Sequence, residues 1–444
     1  MTKKLNRIDI FSLVLGSIIG WGSFTLPGTK FLQESGVINT AIGFLIGGIA
    51  VVFIQKGYHI MMQNHGEDGG EFSYTYNHLG STHGFIVGWG LILCYLSLVP
   101  LNATAFVLVV KKILGPKIEI LYLYSVAGYP VYLSEVFIAS FIIILFAYIN
   151  IKGLKASSCT QNIMVLFLIL NIIIVFVSML FLTDKTIFLD NYILNYQFDL
   201  GEISKVLAIV PFLFVGFDVI PQVSTDLDFK PEKATRIAII SIFSGVLGYN
   251  LLNMTTSLVF SPQGALKQEW ALGTAVMDNI GYVGFLLLLV ALAAAVTGGI
   301  NGFMLSSSKL IAALADYQFL SPKYREKNEN GVYAKGIKFV AMISLIAPWV
   351  GREVIIYIVD MCSLSAALAY FYVCYISYTI AVERKEKVLS SIGGLVSLIF
   401  ILLLIFPWSP GRLSIPSLIF TVLWAGAGYL YYRRYCVNTG KVVY

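Results

Sequence analysis

Charged side chains are scarce in this chain. Asp, Glu, Lys and Arg make up 12% of its 444 residues, whereas apolar residues make up 58%. Soluble globular domains usually carry about 25% charged residues, so the composition excludes an ordinary soluble domain. The apolar runs follow one another with short loops between them, which predicts a single membrane unit over residues 1–444.

Signs of metal, redox and nucleotide sites are also lacking. The five cysteines show no metal-ligand spacing, and their odd number argues against a disulfide framework. The four histidines cluster near one predicted loop without a metal-binding helix signature. No phosphate-binding loop of the form Gly-x-x-x-x-Gly-Lys-Ser/Thr occurs, and no nucleophile–base pair stands out. The sequence therefore predicts no enzyme, no bound cofactor and no metal site.

Long apolar runs dominate what is present. A spanning helix needs roughly 20 apolar residues, and about twelve runs qualify. We predict spanning helices at residues 8–31, 37–62, 84–110, 133–150, 161–182, 203–223, 235–260, 281–314, 336–349, 354–382, 388–406 and 415–432. The first run is too long for a cleavable signal peptide and lacks a small-residue cleavage site, so we expect it to span the bilayer. The segment between residues 111 and 133 is expected to be a short interfacial helix or an irregular cap.

The placement of Lys and Arg predicts the orientation. With the N-terminus inside, 21 of the 30 basic residues lie on the cytoplasmic side. This bias favours an even number of helices in the cytoplasmic membrane, with both termini in the cytoplasm. The net charge of +6 arises from helix ends and loops, without a basic face between aromatic residues. We therefore expect lipid, and no nucleic acid, around the protein.

The first apolar run is broken in its middle by glycine. Gly20 and Gly22 flank Trp21, and Ser23 follows. Glycine adopts backbone angles that other residues avoid, so the helix is expected to unwind here. The freed amide N–H groups and the start of the second half-helix would form a site for a carboxylate. The alternative is that these glycines only let neighbouring helices pack closely.

A second run is broken around Gly216 and Asp218, between Pro211 and Pro221. A carboxylate at mid-membrane costs ~2.5–3.5 kcal/mol on insertion scales and is a functional-site candidate by default. Asp218 could accept hydrogen bonds from the exposed amides of the broken helix, or it could couple transport to a proton or cation. Broken helices at membrane depth survive only where they are buried in protein or line a cavity. Two breaks in corresponding halves of a chain are typical of the substrate site of an inverted-repeat transporter.

Four motifs carry a resemblance to a known family. The first is Ser17 to Phe24 in the first run, and the second is Phe214-Val215-Gly216-Phe217-Asp218 in the sixth. The third, between the second and third runs, is Gly69-Gly70-Glu71-Phe72-Ser73-Tyr74, followed by Gly84, Gly88 and Trp89. The fourth, at the end of the eighth run, is Asn301, Ser306-Ser307-Ser308-Lys309, Asp316 and Pro322. In this order the chain resembles the amino acid–polyamine–organocation (APC) permease superfamily. The resemblance implies an all-α membrane fold with a five-plus-five inverted repeat of the LeuT-like type and with helices one and six broken. The repeats would be residues 8–182 and 203–382, and residues 388–434 would add two helices.

The resemblance also implies roles for individual residues. The substrate carboxylate would dock on first-helix amides, and the substrate amine would face carbonyls of both broken helices. The implied carboxylate site comprises Ser17, Trp21, Gly22 and Ser23, and the implied amine site comprises Ile18 and Val215. Gly20 and Gly216, at the two breaks, are also expected to contact the substrate, and Asp218 is expected to organise the sixth-helix break. Phe212 occupies the position of the aromatic gate. Val99, Asn102 and Phe303 would complete the pocket.

Two departures from the family pattern bear on substrate and coupling. Trp21 stands where the family prefers serine, which could shrink the pocket or stack on an apolar substrate. The fifth helix has no lysine over residues 161–168, although many proton-coupled relatives carry one there in place of a sodium ion. A sodium site between the first helix and Thr297 or Asn301 is an alternative, and exchange without an ion is another.

The functional prediction is a secondary transporter. We expect it to move an amino acid or a related amine across the cytoplasmic membrane by alternating access, with H+ or Na+ as the coupling ion if there is one. A polyamine, a purine-like solute or another organic cation remains an alternative substrate. A membrane amino-acid sensor built on the same fold is the rival from another functional class.

Overall fold

The computed structural model describes residues 4–126 and 129–437. The first helical segment is not continuous. Helix α1 (Arg7–Ile18) begins with a capping box between Asn6 and Asp9 and ends at Ile18. The chain resumes as α2 (Gly22–Leu26), passes through a π-helical turn (Pro27–Phe31) and ends as α3 (Leu32–Ser35). The two parts are bent by 47° relative to each other.

The remainder of the first half is helical apart from one hairpin. It comprises α4 (Ile38–Asn64), α5 (Gly70–Leu79), α6 (Ser81–Leu114), a 3-10 turn (Gly115–Ile118), β1 (Tyr122–Val126), β2 (Tyr129–Tyr132), α7 (Leu133–Ile151) and α8 (Leu154–Leu182). The strands pair antiparallel, with Tyr122 opposite Tyr132 and Ser125 opposite Pro130.

The second half begins with a short irregular segment and a second broken helix. Its elements are α9 (Thr186–Phe188), a π-helical turn (Leu189–Leu194), α10 (Leu200–Leu213), α11 (Val219–Gln222), 3-10 turns at Ser224–Asp226 and Pro231–Lys233, α12 (Ala234–Ser257), α13 (Pro262–Leu266), α14 (Ala271–Ile280), α15 (Tyr282–Asp316), a 3-10 turn (Pro322–Arg325), α16 (Ala334–Val350), α17 (Arg352–Ile380), α18 (Arg384–Ile405), α19 (Ile415–Tyr431) and a π-helical turn (Tyr432–Val437).

The chain is an integral membrane protein. Within residues 4–126 and 129–437, nine helices are long and apolar enough to cross a membrane, or ten if the bent first pair is one span. Helix α16 has only 17 residues and α10 only 14, and neither is among the nine. The predicted count of twelve spans is consistent with the structure and stays a prediction.

The buried helices surround α1. Helix α1 packs against α8, α12 and α15, and α15 packs against α6. Gly16 of α1 makes a close approach possible, because a Cβ on it would lie 2.2 Å from Nε2 of Gln161 in α8. Helices α18 and α19 lie at the periphery and expose apolar side chains such as Leu402 and Val422, as expected where hydrocarbon is the solvent.

The structure corrects two details of the sequence interpretation. The segment between residues 111 and 133 contains a 3-10 turn and a β-hairpin, because it closes with hydrogen bonds such as Leu133 N–H to the Leu121 carbonyl. The fifth predicted helix begins at Leu154, since polar residues before residue 161 are buried on its inner face. The proposed division into repeats at residues 8–182 and 203–382 stays a prediction.

Candidate functional site

The interruption after α1 leaves backbone N–H donors free. Ile19 is extended, with φ −86° and ψ 100°, and its N–H still bonds to the Leu15 carbonyl at 2.9 Å. The N–H of Ser23 bonds back to the Gly20 carbonyl at 3.2 Å. Among the residues that the structure describes, the N–H groups of Gly20 and Trp21 have no acceptor. An anion placed here would meet unpaired amide donors near the start of a half-helix.

The second interruption lies between α10 and α11. Residues 214–218 form a turn, and Gly216 has φ +132°, a region that only glycine adopts readily. A Cβ on Gly216 would lie 2.7 Å from the Ser17 Cβ and 2.9 Å from the Ser17 carbonyl carbon. The two broken segments are therefore in backbone contact, and the glycine makes that contact possible.

The carboxylate of Asp218 accepts hydrogen bonds from protein groups at the second interruption. Its Oδ1 accepts a hydrogen bond from the Gly216 N–H at 2.7 Å, and its Oδ2 accepts one from the Tyr95 hydroxyl of α6 at 2.9 Å. The side chain has no exposed surface. This arrangement favours the alternative in which Asp218 braces the unwound turn, and it leaves neither carboxylate oxygen free to face a ligand.

A cavity of about 50 Å³ lies where the two breaks meet. It is lined by Ser17, Ile18, Gly20, Trp21, Gly22, Leu98, Leu101, Asn102, Phe212, Leu213, Val215, Tyr249 and Phe303. Nine of the sequence-predicted site residues are in this lining, and no lining side chain carries a formal charge. The cavity therefore suits a small solute with no net charge on its side chain.

Four of the residues predicted for the substrate pocket lie outside the lining. Ser23 is bonded through its hydroxyl to the Gly20 carbonyl at 2.7 Å, and Val99 is buried in α6. Gly216 and Asp218 form the turn behind the wall. Sequence reasoning missed Leu98, Leu101, Leu213 and Tyr249. The Tyr249 hydroxyl donates to the Ile18 carbonyl at 3.3 Å, and no motif signals this contact across 231 residues.

Trp21 is held by a basic side chain from α17. The Arg352 guanidinium carbon lies 4.6 Å from the centre of the Trp21 ring. Its Nη1 donates to the Leu101 carbonyl at 3.0 Å and to Oγ1 of Thr104 at 2.7 Å. A cation over an indole face attracts the ring by roughly 0.5–2 kcal/mol. The contact thus fixes Trp21 and places a positive charge beside the cavity.

Trp21 also borders a larger cavity. This second cavity has a volume of about 550 Å³ and is lined by Trp21, Thr25, Leu26, Thr29, Leu108, Lys111, Lys112, Gly115, Pro116, Glu119, Glu269, Trp270 and Leu292. It lies towards the predicted extracellular ends of the helices. Trp21 is the residue that the linings of the small cavity and of this vestibule share.

A buried ion pair network lies at the opposite end of the broken helices. Nζ of Lys309, in the last turns of α15, lies 2.8 Å from Oδ2 of Asp68 and also contacts Oδ2 of Asp226. The Thr225 N–H donates to Oδ1 of Asp68 at 3.0 Å. Lys309 is only 3% exposed. The network joins α15 to the segment before α5 and to the turn after α11.

The residues predicted for a sodium site are engaged in hydrogen bonds. The Thr297 hydroxyl donates to the Ala293 carbonyl at 2.6 Å. Oδ1 of Asn301 accepts from Nδ2 of Asn150 at 2.8 Å and from the Ser157 hydroxyl at 3.1 Å. Nδ2 of Asn301 donates to Oε1 of Gln161 at 2.8 Å. The Asn301 oxygen therefore already has two donors, and a sodium site here stays a prediction.

Comparison with known proteins also indicates a permease. The sequence model of the amino acid permease family matches residues 5–429. The branched-chain amino acid permease BcaP of Bacillus subtilis is 26% identical over 59% of this chain and 55% of its own length. The arginine/ornithine antiporter of Pseudomonas aeruginosa is 22% identical over 76% of this chain and 68% of its own length. The methylthioribose transporter of Bacillus subtilis is 25% identical over 59% of each chain.

The alignments cover only part of these relatives. The chain spans between 55% and 68% of the length of the three proteins just described. By their names, these proteins transport branched-chain amino acids, arginine and ornithine, and methylthioribose, so they span several substrate classes.

Proposed function

The chain belongs to the amino acid permease family, and we propose that it moves a small neutral amino acid across the cytoplasmic membrane by alternating access. Transporters of amino acids are among its relatives by name. The observation that carries the proposal is the uncharged cavity at the junction of two unwound helices, which borders unpaired backbone donors. On the predicted cytoplasmic side, the buried ion pairs of Lys309 with Asp68 and Asp226 hold the ends of the helices together.

The backbone supplies complementary ends for an amino acid. We place the substrate carboxylate on the free N–H groups of Gly20 and Trp21, where hydrogen bonds to a charged acceptor are strong. The substrate ammonium group would face carbonyl oxygens at Val215 and Ile18. The Ile18 carbonyl accepts only a long 3.3 Å bond from Tyr249, so it has capacity for another donor. These groups recognise the common part of every amino acid and leave the side chain to the rest of the cavity.

The lining favours a neutral side chain. An arginine or lysine side chain would need a carboxylate partner, yet both oxygens of Asp218 accept hydrogen bonds from the protein and no acidic residue lines the cavity. The Arg352 charge next to Trp21 would repel a second cation. A free volume of about 50 Å³ suits alanine, serine or glycine better than a branched or aromatic side chain.

Flux into proteoliposomes tests the proposal. Purified protein reconstituted with internal unlabelled alanine should exchange it for external labelled alanine, and excess serine or glycine should compete. Excess arginine or putrescine should not compete. Exchange driven by arginine or putrescine alone would overturn the assigned substrate class. Specific binding of alanine without any flux would support the sensor instead of the transporter.

A further inference from the structure

A second buried carboxylate lies one helix away from the break. Glu71, in the first turn of α5, has no exposed surface, and neither has Asp218. Oε1 of Glu71 accepts from the Tyr58 hydroxyl of α4 at 2.7 Å, and its Oε2 accepts from Nε2 of Gln222 at 2.7 Å. Gln222 ends α11, the short helix that follows Asp218. The two carboxylates therefore flank the same short helix.

No cation compensates this pair of acids. In the described part of the chain, neither Glu71 nor Asp218 has a basic side chain within the 4.0 Å of a salt bridge. Lys309 is occupied by Asp68 and Asp226. The titratable groups that act on Glu71 from the surrounding elements are Tyr58 of α4, Tyr74 of α5, Cys94 and Tyr95 of α6, Asp218, and Tyr370 of α17. All of these except Asp218 are neutral at physiological pH.

Two negative charges are not stable in this setting. Burial of one unpaired ion costs several kcal/mol. The first turn of α5 stabilises an anion at Glu71 by only about 0.3–1 kcal/mol, so the helix end cannot compensate for burial. Burial and the nearby Asp218 carboxylate raise the pKa of the Glu71 carboxyl to about 8. Burial and the neighbouring carboxylate therefore both favour a protonated Glu71 carboxyl.

The hydrogen bonds favour Glu71 as the protonated partner. Asp218 accepts from a backbone N–H, a donor that cannot rotate away. The two hydrogen bonds that Glu71 accepts from other residues come from side chains, and the Tyr58 hydroxyl can turn to accept a hydrogen bond from a protonated carboxyl. Glu71 can thus hold a proton without losing a hydrogen bond.

Resting on the proposed function, we infer that Glu71 is the proton-carrying residue of transport, and that Gln222 couples its protonation to the movement of α11. While α11 covers Glu71, the carboxyl keeps its proton. When the predicted cytoplasmic side opens, Gln222 and Asp218 move with α11, water reaches Glu71, and the carboxyl releases one proton to give a carboxylate. One proton taken up outside is released inside for each neutral amino acid, so each cycle transfers one positive charge.

Imposed gradients test this inference in proteoliposomes. With an acidic outside and the membrane potential clamped, the wild type should accumulate labelled alanine above its equilibrium level, and a pH-sensitive dye inside should report acidification when alanine is added. Glu71→Gln, which imitates the protonated side chain, should keep alanine exchange and lose accumulation driven by the pH gradient. Glu67→Gln is the matched control, because Glu67 lies in the same segment with a 41% exposed side chain and should leave both readouts unchanged.

The outcomes separate this inference from the proposed function. Absence of alanine exchange in the wild type argues against the substrate assignment itself. Wild-type exchange without internal acidification overturns the role of Glu71 and leaves the proposed function standing. Accumulation driven by the pH gradient in Glu71→Gln also overturns it. If Glu71→Gln is not stably inserted, Glu71→Asp decides: it keeps a carboxylate and should retain alanine-dependent acidification, and loss of acidification with intact exchange would contradict the proposal.

Discussion

Gly216 lies directly against Ser17, so that a Cβ on Gly216 would meet the Ser17 Cβ at 2.7 Å. The residues are almost 200 positions apart, yet their backbones fix how the two broken helices sit relative to each other. Residues of both breaks, such as Gly20 and Val215, line one cavity because of this contact. The geometry of the cavity therefore depends on a residue without a side chain.

Gly216→Ala should abolish alanine exchange. Alanine at φ +132° is strained, and its methyl group would push α1 away from the turn, which together should lower the free energy of unfolding by about 1–3 kcal/mol. Exchange in proteoliposomes and thermal unfolding in detergent measure the two effects. Gly426→Ala is the control, because a Cβ there meets nothing within 4 Å in α19. Normal exchange by Gly216→Ala would contradict the close contact of the breaks.

Trp21→Ser should broaden substrate selection. Removal of the indole joins the small cavity to the vestibule of about 550 Å³, so a side chain larger than that of alanine gains space. We expect the preference for alanine over leucine to fall roughly tenfold or more, the size of effect that a few methylene groups produce in a pocket. Competition of each amino acid with labelled alanine measures the ratio.

The matched control for this prediction is Trp408→Ser, since Trp408 is 83% exposed and distant from the site. An unchanged ratio in Trp21→Ser would show that Trp21 does not limit the size of the substrate.

Lys309→Gln should destabilise the closed end of the bundle. Removal of the cation leaves Asp68 and Asp226 facing each other, and loss of one partner of a buried pair costs roughly 3–5 kcal/mol. Thermal unfolding of the purified protein should show a clearly lower midpoint. Lys335→Gln, which removes an exposed pair with Glu326, should change stability by only ~0–1 kcal/mol. Equal effects of the two variants would refute a special role for Lys309.

Asp218→Asn should shift the pH dependence of uptake. In the wild type the pKa of Glu71 is about 8, so the residue is protonated below that pH, and uptake driven by a fixed proton gradient should decline as pH rises through this range. The substitution removes the Asp218 charge, which is one of the two causes that raise the pKa of Glu71. The midpoint of the decline in uptake should therefore move to lower pH. Initial rates of alanine uptake between about pH 5 and about pH 9, a range that brackets the titration of the Glu71 carboxyl, measure the shift in the midpoint.

Exchange at low pH is the internal control for this variant. Asparagine keeps an oxygen that can accept from the Gly216 N–H, so the turn should persist and exchange at low pH should remain. A midpoint that does not move, or that moves to higher pH, would argue against an electrostatic link between the two acids.

The positions of the two helix interruptions could be predicted from the residue types alone. Gly20 and Gly22 within an apolar run, and Gly216 with Asp218 in another, predict where the helices unwind, because backbone freedom and the cost of a buried charge are properties of the residues themselves. The family motifs around these positions also predicted most of the cavity lining. Tyr249 and Leu98 carried no signal of this kind, since both occur in ordinary apolar helical segments.

The sequence alone determined that this chain enters a membrane and where its helices lose their regular hydrogen bonds, since composition, hydrophobic run length and glycine placement act locally. Its place among the permeases rests on the family motifs and on the family model that matches residues 5–429. Only the tertiary structure decided that Arg352 covers Trp21, that Lys309 closes one end of the bundle and that Glu71 is buried beside α11. These contacts join residues far apart in the chain, and the packing of whole helices sets the distances between them.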